Sequence, residues 1–390
     1  QQTYKGEIKM ASYTKYKTSK GQFWRFQVSY ADPITGKRKQ KGKGGFETKK
    51  EAKLFAEKLE DELSRGFLRN DKMTFRDVFD LWFENYQLTT KESTWTTTKR
   101  NFDNHILPLL GNRRIMEISP AACQQIVNSW FNKPLKNYKR FLNNMRNIFE
   151  YAVQLKIITE DPTKAVIRPS AKHQKVKNRD AKGMYYTREE LKNFLECLYD
   201  SDNYQGYTFF RLLAFTGMRK GEALALTWND INFKAKQLII DKTQSNGYNR
   251  LVVQSTKTAA SDRTIFIDPK TLGILKKWHQ LQRIELLHYG FNSLGAKQLV
   301  FASQKNQMHN PNKPGLWATR VTKRYDLKHI PVHGFRHTYA TLAIQGGMPP
   351  KELQIQLGHS DIKTTLDIYT AVTDQQKSKT PEKFTAFVDF

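Results

Sequence analysis

The sequence predicts a multidomain α+β protein. It has a small N-terminal unit of a three-stranded sheet plus a helix, an all-helical middle unit, and a mainly α C-terminal unit with a small antiparallel sheet. Three observations predict this. Apolar residues alternate from Trp24 to Tyr30, the strand period, yet from Ala52 onward they recur at helical spacing. A polar, basic, aperiodic stretch at 169–184 interrupts the helical pattern. The length, 390 residues, is enough for two or three cores. The units expected are residues 1–68, 73–168 and 185–390, with 169–184 as linker.

In the first unit, Trp24, Phe26, Val28 and Tyr30 alternate with Arg25, Gln27 and Ser29. Residues 32–36 read as a turn into a further strand that starts at Lys37. Thr48 and Glu51 form a capping box ahead of Ala52, Phe55, Leu59 and Leu63, one face of a helix. Tyr13, Lys15, Lys17, Arg25, Lys37 and Lys39 run along the expected sheet, either as a DNA-facing surface or as a solvated charged one.

In the middle unit, Thr74 with Asp77 caps a helix carrying Val78, Phe79, Trp82, Phe83 and Tyr86. A second helix is expected over 94–105, stopping before Pro108, and a third from Ser119 and Pro120. A fourth, over 135–155, sets Phe141, Leu142, Met145, Ile148 and Phe149 inward. Lys136, Lys139, Arg140 and Arg146 form its basic face, which suits phosphates and equally suits plain solvation.

In the last unit, Thr187 and Glu190 cap a helix. Gly217 ends a buried helix and Lys220 starts another, so Arg219 sits at the junction, beside the positive end of the second helix dipole. Residues 238–240, 250–254 and 263–267 are strands, and the loop 255–261 presents Lys257 at a hairpin tip. Helices follow over 271–288 and 317–325. The stretch 331–369 is clearly punctuated. Gly346 and Gly347 stop one helix, Pro349 and Pro350 open the next, and Gly358 closes it and leaves His359 in a turn. A helical run over 360–369 carries Tyr369. Helices this short fold the segment back on itself, so His333, Arg336, His359 and Tyr369 are expected to share one pocket.

Lys and Arg number 65 against 37 Asp and Glu, a net charge of +28. A field of that size selects a polyanion, of which nucleic acid is the commonest. An anionic membrane surface is the rival partner, but no long apolar run, signal peptide or basic amphipathic anchor supports it, so no membrane partner is expected. Cys123 and Cys197 lie in helical apolar patterns and read as buried free thiols of a reducing, cytoplasmic compartment. No cysteine/histidine cluster has zinc spacing, so neither metal nor cofactor is expected.

Arg219, Lys257, His333, Arg336, His359 and Tyr369 form an ordered set. Singly, each has an ordinary reading. Arg219 caps a helix or pairs with Glu222, Lys257 is a surface lysine, His333 is a satisfied histidine, and Tyr369 is a packing residue. Together, in the stretches TGMRKGEALALTWNDI, STKTAASDRTI, HGFRHTYAT, LGHSDIKTT and YT, they resemble the tyrosine recombinase, or phage integrase, family. The resemblance covers the unit from about Thr187 to Thr370 and departs at none of the six positions. The middle unit resembles the family's core-type DNA-binding domain. The first unit is similar to the arm-type domains of integrases from Gram-positive phages and conjugative transposons.

The resemblance implies a site-specific recombinase that integrates and excises a mobile element. Double-stranded DNA, at core and arm sites, would be cut and rejoined by a homotetramer through a 3′-phosphotyrosyl intermediate and a Holliday junction. A DNA-bending or excision accessory protein would be a further partner. Tyr369 would be the nucleophile, with Arg219 and Arg336 on the phosphate. Lys257 would protonate the departing 5′ oxygen, His333 would assist proton transfer at Tyr369, and His359 would hydrogen-bond the phosphate. Glu222 would orient the site. The tail 374–390, with Phe384, Phe387, Val388 and Phe390, would dock on a neighbouring protomer or fold onto its own unit.

Elementary chemistry agrees with these roles. A phenol with an ordinary pKa of about 10 needs cationic surroundings to attack, and guanidiniums are permanent forks suited to two phosphate oxygens. Cutting without metal needs a nucleophile, cations and an acid. The alternatives are a type IB topoisomerase or telomere resolvase, against which the arm-like unit argues, and a non-catalytic DNA-binding protein, against which the six intact positions argue.

Overall fold

The computed structural model describes residues 9–19, 21–31, 38–64, 72–133, 135, 137–170, 185–256 and 259–373. Lys37, Lys136, Lys257, residues 171–184 of the expected linker and the tail 374–390 lie outside them. The chain forms two units, Gln1–Ala171 and Lys172–Phe390.

The first unit opens with three antiparallel strands in the order β1 (Lys9–Thr18), β2 (Gly21–Ala31), β3 (Arg38–Phe46). Helix α1 (Lys49–Ser64) packs on them and closes a core of Phe26, Val28, Phe46, Ala52 and Ala56. Register decides where the basic residues go, because opposed residues share a face. Lys15 lies opposite Trp24 and Lys39 opposite Tyr30, on the side of Phe26 and Val28 that α1 covers. Arg25 lies opposite Thr14 and Gly44, on the other face with Gln27 and Gln40. The expected basic row is therefore split between two faces.

The rest of this unit is helical. The box of Thr74 and Asp77 caps α2 (Phe75–Thr89) as expected. After α3 (Glu92–Asn101) the chain makes a π turn over Phe102–Ile106. Pro108 does not end a helix there. It sits in the first turn of α4 (Leu107–Leu110), where a missing N–H removes no bond. Helix α5 (Pro120–Asn132) starts from Ser119, and α6 (Tyr138–Gln154) packs Phe141, Leu142, Met145, Ile148 and Phe149 against α2 and its neighbours. Lys139 and Arg140 are exposed on α6. Arg146 instead turns to Thr163 at 3.4 Å, so the basic face is shorter than expected.

The second unit begins with α7 (Arg188–Tyr199), α8 (Tyr204–Thr216) and α9 (Lys220–Ala225). Strands β4 (Ile231–Asn232), β5 (Gln237–Ile240), β6 (Lys242–Asn246), β7 (Leu251–Ser255) and β8 (Arg263–Phe266) follow. Then come α10 (Pro269–His288), α11 (Lys313–Arg324), α12 (Gly334–Gln345), α13 (Pro350–Leu357) and α14 (Ile362–Thr373). Helix α8 is central and packs on α7, α10 and α12. Phe194, Phe209, Phe210 and Phe335 fill the core there with aromatic edges and faces.

One strand pairing differs from expectation. Strands β7 and β8 do not form a hairpin. The former pairs with β6 and the latter with β5, in separate sheets. The all-polar β6, KTQSN, has no apolar alternation to announce it. No helix among the described residues is long and apolar enough to cross a membrane.

Candidate active site

The site grows from three helix ends. Gly217, at φ +67°, takes the left-handed turn that ends α8. Arg219 follows as the residue preceding α9. Its backbone N–H donates to Glu222 Oε2 at 2.9 Å and its Nη1 to Oε1 at 2.7 Å. Gly358, also at φ +67°, ends α13 and turns the chain into His359. A helix end leaves its last carbonyls without partners, and cations are favoured there. Three guanidiniums fill these positions in sequence. Arg263 donates to the Gln356 carbonyl at 2.9 Å, Arg336 to that of Leu357 at 2.8 Å, and Arg219 to that of Gly358 at 3.3 Å. Arg336 also donates to the Gly217 carbonyl at 2.9 Å, which ties the end of α8 to the end of α13.

Burial grades these cations. The Arg219 side chain is 38% exposed, whereas Arg336 is 5% exposed. Burial, then repulsion from Arg219, push Arg336 down to about 9, with Glu222 pulling the other way, so it stays cationic at neutral pH. Glu222 is 2% exposed. Burial alone would raise its pKa, but the Arg263 charge and hydrogen bonds from Arg263 and Arg219 outweigh it and hold the carboxyl below its ordinary value. His359 loses proton affinity to burial and then to Arg336, Arg219, Arg263 and His333, down to about 4. His333, just before α12, is shifted the same way by desolvation and then by His337, Arg336, Arg219 and Lys220. At neutral pH both imidazoles are uncharged.

The nucleophile candidate joins the site through α14, which packs on α12 and α13. His359 Nδ1 lies 2.9 Å from Thr365 Oγ1, in the second turn of α14. Tyr369 is four residues further on, hence on the same helical face. It is half-buried against the cluster of Ala340, Ile344, Leu353 and Leu357. The structure thus brings together Arg219, Glu222, His333, Arg336, His359 and the helix of Tyr369. Lys257 lies outside the described residues. Thr256 Oγ1 donates to Asp262.

Two other tyrosines of this unit are held by packing, Tyr339 in the same cluster as Tyr369. Tyr339 is packed mid-helix in α12, with its pKa raised by burial, and Tyr325 closes α11 against the main core. His337 meets the His333 ring edge-on at 5.1 Å.

Arg263 also belongs to this cluster, through Glu222 and the Gln356 carbonyl, although within STKTAASDRTI the sequence marks it only as a strand residue. A cation at the start of a predicted strand, six residues beyond Lys257, is the available signal. A cavity of about 940 Å³ is lined by Tyr204, Trp278, His309 and Trp317 and by none of these groups. The site is instead an open cationic surface, which suits the phosphate of a polymer more than an enclosed small molecule.

The phage integrase family pattern matches residues 184–376, the N-terminal SAM-like domain of phage integrases matches 74–131, and an arm DNA-binding domain matches 13–63. A tyrosine recombinase XerC-like protein of Caldanaerobacter subterraneus subsp. tengcongensis is 28% identical, over 96% of this chain and 98% of its own. The ICEBs1 integrase of Bacillus subtilis is 26% identical, over 94% and 98%. Among solved structures, a Tn1549 transposon integrase fragment in complex with a circular intermediate DNA superposes with a TM-score of 0.61. It is 19% identical and covers 78% of this chain and 99% of that one.

Proposed function

The chain belongs to the phage integrase family of tyrosine recombinases, and from that premise we propose how its residues cut and rejoin DNA. Arg219 and Arg336 take the two non-bridging oxygens of one scissile phosphate in double-stranded DNA, and His359 adds a hydrogen bond. The phenol of Tyr369 attacks phosphorus and the 5′ oxygen of the next nucleotide leaves, so one P–O bond forms as another breaks. His333, uncharged, receives the phenolic proton, and Lys257 supplies a proton to the departing oxygen. The 3′-phosphotyrosyl bond keeps the backbone energy for rejoining to a second strand. The negative charge that builds on the phosphorane is neutralised by fixed guanidiniums, so cleavage is metal-independent. Each charge-assisted contact contributes about 1.5–3 kcal/mol.

The observation that carries this reading is the bond from His359 to Thr365, one turn before Tyr369, at the same helix end that Arg219 and Arg336 cap. Exchange of strands between two duplexes requires four such centres, hence a tetramer on a Holliday junction. The exposed Lys139 and Arg140 of α6 support core-site contacts. In the first sheet, the face of Arg25, Gln27 and Gln40 offers the hydrogen-bonding groups a DNA groove reads, while Lys15 and Lys39 are exposed on the opposite face and add only their charge. A bacterial cell carrying the mobile element is the place of action, with an accessory bending or excision protein as partner.

Covalent trapping on a nicked duplex tests the assignment. Tyr369→Phe should bind the same site as the unmodified chain and give no covalent adduct. An adduct with that variant would move the nucleophile elsewhere.

A further inference from the structure

Arg263 is the cation of this centre that the chemistry above does not use. Its side chain, at the start of β8, is 5% exposed, and it is committed to the protein. Its guanidinium reaches Glu222 Oε2 at 3.0 Å and Oε1 at 3.5 Å, the Gln356 carbonyl at 2.9 Å and the Ser261 carbonyl at 3.0 Å. Three places thus meet on one side chain: the first turn of α9, the last turn of α13 and Ser261, just before β8. A buried guanidinium so fully bonded has little left to give a substrate. What it holds is the carboxylate that in turn holds Arg219 by two bonds on its other side.

We infer that Arg263 is a positioning residue for strand cleavage: through Glu222 and the Gln356 carbonyl it fixes the direction of the Arg219 guanidinium and the place of His359 at the scissile phosphate. This rests on the recombinase reading. Lysine is no substitute here, because a single ammonium cannot serve a carboxylate and two carbonyls in three directions.

The test is covalent trapping by the full chain on nicked duplexes that carry at the scissile position either an ordinary phosphodiester or a methylphosphonate. The methyl group removes the charge that Arg219 would grip. Arg263→Lys should leave DNA affinity near that of the unmodified chain, lower the melting temperature without unfolding the chain, and slow cleavage of the phosphodiester by about 10²-fold. Its loss on the methylphosphonate should be clearly smaller. Equal losses on both substrates overturn the inference, since a purely structural residue affects both alike. So does an undiminished rate, and so does an Arg263→Lys chain that fails to fold by circular dichroism. If the unmodified chain forms no adduct on the phosphodiester, the recombinase reading fails and takes this inference with it. A normal adduct with equal losses removes only the role of Arg263.

Discussion

An almost fully buried carboxylate stays ionised at Glu222 because two guanidiniums share it, one buried and one facing the substrate side. Removing it leaves Arg263 as a buried charge without its counter-ion. Breaking a buried pair in this way costs about 3–5 kcal/mol. Glu222→Ala should therefore lower unfolding stability by about that amount in urea titration, as well as impairing cleavage. The protonation linkage has one sign throughout the site. His359 has a folded pKa of about 4, below its ordinary 6.5, so its stability contribution is complete above about 6.5 and is lost as pH falls toward 4. Glu222, also shifted down, adds its loss below the ordinary carboxylate value of 4.5. Melting temperature should thus fall as pH drops from 7 to 4.5, and His359→Gln should flatten that fall. A profile unchanged by the substitution would contradict the neutral, desolvated imidazole.

At the scale of elements, the end of α13 organises the centre, and two glycines make its geometry possible. Gly358 turns the chain out of the helix at positive φ. Gly217 does the same for α8, with no room for a side chain: a Cβ there would lie 2.6 Å from both Leu357 Cδ2 and Tyr339 Cδ1. Gly217→Ala forces α8 and α13 apart and strains the left-handed turn. The expected cost is about 2 kcal/mol or more, read as a lower denaturation midpoint. The same displacement moves the Gly217 carbonyl from Arg336, so cleavage should fall further than DNA binding. The polar strand β6 has a comparable organising role. By taking β7 as its partner it leaves β8 to pair with β5, which sets Arg263 against α9 and α13.

At the scale of the whole molecule, the net charge of +28 sets how the chain meets DNA. Each phosphate neutralised by a lysine or arginine releases counterions, and log K falls with log salt by about 0.9 per contact. Binding should accordingly weaken by orders of magnitude between low and physiological salt. A shift titration at several salt concentrations checks this, and a flat response would remove DNA from the faces of Arg25 and of Lys139 and Arg140. The split of Lys15 and Lys39 from Arg25 sharpens the expectation. Arg25→Ala should relax sequence preference, whereas Lys15→Ala should mainly reduce the salt slope.

Much of this protein was determined by its sequence alone. The capping boxes at Thr74 and Thr187, the glycines that end α8 and α13, and the proline that opens α13 are local signals, because a cap or a left-handed turn involves only neighbouring residues. The residues of the centre other than Arg263 were legible for a related reason, since their types and order match a known chemistry. Only the tertiary structure decided which strands pair, that Pro108 starts a turn of helix, which sheet face carries Lys15 and Lys39, and that Arg263 stands behind Glu222. Those outcomes depend on contacts between residues far apart in the chain, such as Glu222 with Arg263 and Arg219 with Gly358, and local pattern carries no record of such distances.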